Sequence, residues 1–143
     1  MLKSSATLAL ILGLASVPGC ATVKMPNANA IALQRAEQPV ITGTLVVKNE
    51  GSKTLLVFSD DFKSNPKAPD LQVVLLKSPT PLKTLTPPHY PLKPGSYTQV
   101  ATLKSYKGAQ SYTLPDNVNI KDFGSVLIWC KQVNATQAWA PLN

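Results

Sequence analysis

Residues 125–131 read SVLIWCK, and this stretch decides the fold. It is the most apolar run outside the N-terminal segment. Strand alternation puts Val126, Ile128 and Cys130 on one face and Leu127, Trp129 and Lys131 on the other. Both faces stay apolar until Lys131, so the strand is expected to be covered on both sides and to turn toward solvent at its C-terminal end. Residues 71–77, LQVVLLK, have the same character and read as a second central strand.

Outward from these two runs the chain punctuates itself into further strands. ITGTLVVK (41–48) and KTLLVFS (53–59) flank the turn Asn49-Glu50-Gly51-Ser52 and read as a hairpin, with Gly43 marking a bulge or a close approach. Residues 60–70 form a polar loop in which Phe62 is the one large anchor. Its three aspartates do not have EF-hand spacing and have lysines between them, so turn formation explains them better than calcium binding. YTQVATL (97–103) and QSYTL (110–114) are strands, residues 117–124 a loop anchored by Ile120 and Phe123, and AWAPL (138–142) closes the domain with Trp139.

Residues 78–96 carry Pro79, Pro81, Pro87, Pro88, Pro91 and Pro94. Such a segment cannot pair as an interior strand and reads as a long extended surface loop with polyproline character, holding an exposed His89. The pattern predicts an all-β fold, an antiparallel sandwich or barrel of about seven short strands over residues 40–143. The 143 residues, 44 % of them hydrophobic and 13 of them proline, suit one such core.

The N-terminus reads as an export signal. Lys3 precedes the apolar run of residues 8–15, which is short of the about 20 residues a membrane span needs. Val17-Pro18-Gly19-Cys20 then resembles a bacterial lipobox, which makes Cys20 the lipidated residue and residues 1–20 the signal segment; Pro18 departs from the usual spacer and leaves ordinary signal cleavage open. Residues 21–39 read as a flexible tether, with a short helical turn in IALQRAEQ. These features place the chain in the bacterial cell envelope, lipid-anchored to a membrane and facing the periplasm or exterior.

Export leaves Cys130 without a disulfide partner. Such a thiol is either a buried packing residue or a group that reacts or ligates. The net charge of +7 is spread over single lysines with no basic cluster, which argues against a nucleic-acid partner. A single histidine excludes a two-histidine zinc motif, and no CxxC, haem-attachment motif or Gly-rich phosphate loop occurs, so no metal site and no standard enzyme chemistry is expected. A triad would have to use His89 from the proline-rich segment, a poor platform.

Three stretches together, DDFKSNPKAPDLQVVLL, LKSYKGAQSYTLP and FGSVLIWCKQVNATQAWAPL, resemble the DM-thirteen domain, the electron-transfer domain also found in Skeletor-type animal proteins. The likeness covers about residues 40–143. Its most specific piece is Trp129-Cys130-Lys131 with the Ala140-Pro141-Leu142 ending, followed by the Pro69-Asp70-Leu71 step. The resemblance implies a sandwich-like envelope module whose cysteine is a redox thiol or a ligand to a prosthetic group such as haem. Carried over, it makes Cys130 the site residue, with Trp129, Lys131 and Asp70 as its support. The chain departs from the family pattern at Ala68, where glycine is usual, at Gln38-Pro39-Val40, where a histidine is frequent, and at Gln137, where an aromatic is expected. Two readings follow: a redox module with an unidentified redox or protein partner, and a non-enzymatic binding or structural module with Cys130 in its core.

Overall fold

The structure is a computed structural model that describes residues 29–36 and 41–142. The signal segment, Cys20 and most of the tether lie outside the described residues. Nine strands, β1 (Ile31–Ala32), β2 (Gln34–Arg35), β3 (Thr44–Glu50), β4 (Lys53–Phe58), β5 (Leu71–Leu76), β6 (Tyr97–Thr102), β7 (Gln110–Thr113), β8 (Ser125–Cys130) and β9 (Ala135–Pro141), form two antiparallel sheets. Their orders are β1-β3-β4-β7 and β2-β9-β8-β5-β6. The all-β expectation holds.

The two apolar runs at which the reading began are hydrogen-bonded neighbours at the centre of the five-stranded sheet. β5 and β8 pair from Leu71 opposite Cys130 to Leu76 opposite Ser125. Every residue of both strands is buried. Val126, Ile128 and Cys130 face the core between the sheets, where they join Val73, Leu75, Leu45, Leu56 and Phe58. Side chains of this kind each contribute roughly 1.5–3 kcal/mol when fully buried. Phe62 anchors its loop as expected, with its ring 4.9 Å from that of Phe58. Gly43 is the close approach: at φ +108° it lies so near the backbone that a Cβ there would stand 2.7 Å from Phe62 Cα.

Three expectations are corrected. Residues 31–35 are not a helical turn. They pair as β1 with β3 and as β2 with β9, and the chain changes sheets at the buried Leu33. Open strand edges supply hydrogen bonds that outweigh a faint helical spacing. This adds two strands to the seven expected. The last strand begins at Ala135, three residues earlier than read.

The third correction concerns the proline-rich segment. It pairs in no strand and exposes His89, as expected, but it is not free of the domain. After one helical turn, α1 (Pro81–Thr84), it crosses the outer face of the five-stranded sheet. Leu82, Leu85 and Leu92 pack there on Val74, Leu76, Leu127, Trp129 and Trp139 in a second apolar cluster. Proline forbids a ladder hydrogen bond, but it does not stop the leucines between the prolines from packing. The segment is tied down at its start and again at Tyr90 and Leu92. Ser125 Oγ donates to the Ser78 carbonyl over 2.7 Å, and Thr136 Oγ1 donates to the Tyr90 carbonyl over 2.7 Å. Asn134 Oδ1 accepts from the Leu92 amide at 2.7 Å.

Candidate functional site

Cys130 ends β8, opposite the first residue of β5. The step into β5 runs through Pro69 and Asp70, and Asp70 adopts the left-handed conformation, φ +53°. This turns two successive carbonyls toward the end of β8. The Asp70 carbonyl accepts from the Lys131 amide at 3.1 Å. The Pro69 carbonyl accepts from Cys130 Sγ at 2.8 Å. Cys130 is 1 % exposed.

Beside the thiol lies a cavity of about 350 Å³. Asn65, Ala68 and Pro69 wall it on the loop before β5, Cys130 and Val133 at the end of β8 and its turn, Ala135 and Gln137 on β9, and His89 on the proline-rich segment. No lysine, arginine or carboxylate lines it. The histidine that looked unfit as a platform is anchored by its backbone: the His89 carbonyl accepts from the Thr136 amide at 2.9 Å, one residue from the Thr136–Tyr90 bond. His89 itself is exposed and reaches the cavity from the solvent side. The structure thus brings together a thiol and an imidazole that are far apart in the chain.

The three residues expected to support Cys130 are placed differently from one another. Trp129 points to the opposite face, where its ring lies 4.9 Å from Tyr97 and its Nε1 donates to Asn134 Oδ1 at 2.9 Å. Lys131 is exposed and meets the site only through its amide. Asp70 serves the site through its backbone, while its carboxylate accepts from Gln72 Nε2. Two residues carry more of the arrangement than their sequence context showed. Asn134, at φ +48° in the turn between β8 and β9, clamps Trp129 and both backbone groups of Leu92. Gln137 is 2 % exposed, donates Nε2 to the Ala135 carbonyl at 3.3 Å, and leaves Oε1 with no hydrogen-bond partner. A Gln in an apolar strand was the one available signal for the second; nothing in the Q-V-N run announced the first.

The wall also tests haem. A macrocycle requires an apolar slot with the ligating sulfur exposed to it. Here the sulfur is buried and bonded to a carbonyl, amide and imidazole side chains interrupt the wall, and the cavity is near the small end of the about 300–1,000 Å³ typical of ligand sites. These residues do not fit haem. Among the described residues no three of His, Cys, Asp and Glu converge as metal ligands. What the arrangement offers is room for a small molecule beside Cys130.

A family model described as electron transfer DM13 matches residues 32–142. The match begins inside β1 and takes in both sheets, the proline-rich cover and the cavity. No curated protein and no solved structure matches the chain. With nearly all of the described fold covered by that one model, and with the resemblance read from the sequence in agreement, the chain belongs to the electron transfer DM13 family.

Proposed function

We propose that this protein is an exported, lipid-anchored module of the bacterial cell envelope whose electron-transfer role runs through the Cys130 thiol. The observation that carries the reading is the position of Cys130 on the wall of a cavity that also holds His89. Burial excludes most of the oxidants that would consume an exposed thiol in an exported protein, and the cavity beside Cys130 admits only small molecules. Anchoring rests on Cys20 and the lipobox-like residues before it.

The alkylation rate of Cys130 in the folded protein, followed against pH, tests the role. A small uncharged reagent is expected to label Cys130 without unfolding, and the Cys130→Ala variant is expected to fold with a loss of about 1 kcal/mol while losing all redox activity. Labelling that appears only with global unfolding overturns it. Incorporation of labelled palmitate into the wild type but not into Cys20→Ala tests the anchor.

A second reading has its own observation. Cys130 is 1 % exposed and belongs to the inter-sheet core, as a packing cysteine would. On that reading the protein is a non-enzymatic binding or structural module, and Cys130→Ala leaves its cellular role intact.

A further inference from the structure

The Gln137 side chain is the unexplained group of the cavity. Its Nε2 is engaged by the Ala135 carbonyl, which fixes the orientation of the amide and turns the acceptor end away. Oε1 is then a buried oxygen without a donor, on a residue that lines the same wall as the thiol. Leaving such an acceptor unmatched is costly, since it has lost its bond to water and gained none in return. The cost is recovered when a molecule in the cavity delivers an O–H or N–H to it.

This requirement sorts the molecules that take two electrons from a thiol. Disulfides and quinones present only acceptors and would leave Gln137 Oε1 unmatched. A hydroperoxide carries its O–H on the oxygen that reacts. We propose that the cavity binds a small hydroperoxide, which donates its O–H to Gln137 Oε1 and oxidises Cys130. The proposal rests on the reading of Cys130 as a redox thiol and names its oxidant. The Cys130 sulfur attacks the peroxide oxygen that bears the hydrogen, an S–O bond forms and the O–O bond breaks. The proton released from the thiol passes to the departing oxygen, so thiol and hydroperoxide become sulfenic acid and alcohol. The sulfur loses two electrons and the peroxide gains them. No charged side chain lines the cavity, which suits a neutral oxidant of this class.

The test uses the full chain, with tert-butyl hydroperoxide and 2,2′-dithiodipyridine as probes. Sulfenic acid is trapped with dimedone and mapped to its cysteine by mass spectrometry. The wild type is expected to form the adduct at Cys130. Gln137→Leu is expected to slow the hydroperoxide reaction about tenfold, the scale of one hydrogen bond, and to leave the disulfide reaction unchanged. The disulfide rate doubles as a control for misfolding, and Gln137→Met repeats the test with a flexible side chain. If the variants slow both reactions equally, or neither, recognition of the O–H by Gln137 is overturned. If the disulfide reacts at Cys130 and the hydroperoxide does not, the oxidant class is wrong and the redox thiol stands. If neither reacts before unfolding, both fall.

Discussion

The two sheets treat their outer faces differently. In the four-stranded sheet, β4 buries Leu56 and Phe58 but leaves Lys53 exposed and Leu55 and Val57 half-buried. In the five-stranded sheet, β5 and β8 are buried at every position. The first is the usual antiparallel pattern, one face to the core and one to water. The second needs a cover, and the proline-rich segment supplies it through Leu82, Leu85 and Leu92. The cover also creates the site. His89 reaches the thiol cavity only because its segment is laid across this sheet and bonded to Thr136. The difference teaches that a strand apolar on both faces implies a second layer somewhere in the chain, and that such a layer can carry functional groups to a strand end.

The contrast can be broken most directly at Trp129, which lies under the cover. Trp129→Ala is expected to destabilise the protein by about 3–5 kcal/mol, the usual range for a buried tryptophan, since it empties the second cluster and removes the Nε1 donor to Asn134. Urea unfolding measures this; a loss no larger than that of a surface substitution would mean that the cover does not depend on the indole. Asn134→Ala comes next. It deletes the bonds to Trp129 Nε1 and to both backbone groups of Leu92, with an expected cost of about 1–3 kcal/mol. Hydrogen exchange at the Leu92 amide should then accelerate more than exchange in β3 and β4. Equal acceleration across both sheets would show that the cover and the sandwich open as one unit.

On the four-stranded side the comparison is sharpened by pH and by a mild substitution. Burial pushes the Tyr112 phenol above its ordinary value of 10.0, partly offset by the Lys104 amide that donates to its oxygen at 2.8 Å. The folded state therefore favours the neutral phenol. Its contribution to stability is fully present below the unfolded pKa and is lost as pH rises above that value through the folded one. Unfolding titrations above pH 10.0 should show stability falling together with the tyrosinate absorbance, and Tyr112→Phe should remove that part of the fall. The smallest effect is expected at Val57, on the half-exposed outer face: Val57→Thr should change stability by less than about 0.5 kcal/mol. A larger loss would reveal a cover on this sheet too.

Much of this was legible in the chain. The continuous apolar runs of residues 71–77 and 125–131 announced central strands buried on both faces, because side-chain alternation is local geometry. The hairpin of β3 and β4, the anchor Phe62 and the tight Gly43 followed from turn chemistry and residue size. Strands β1 and β2 were not legible, since two residues carry no period and owe their conformation to the edges they join.

The deeper division lies between Cys130 and the groups around it. From its own strand the sequence determined that this thiol is on the inner face, near the end of an inner strand, and without a disulfide partner among the described residues. Only the tertiary structure decided that the Pro69 carbonyl accepts a hydrogen bond from the thiol, that His89 arrives from a segment read as an extended surface loop, and that Gln137 brings an unmatched oxygen to the same wall. Those meetings depend on register between β5, β8 and β9 and on where the proline-rich cover is bonded. Both are set by packing between residues far apart in the chain, which no local pattern records.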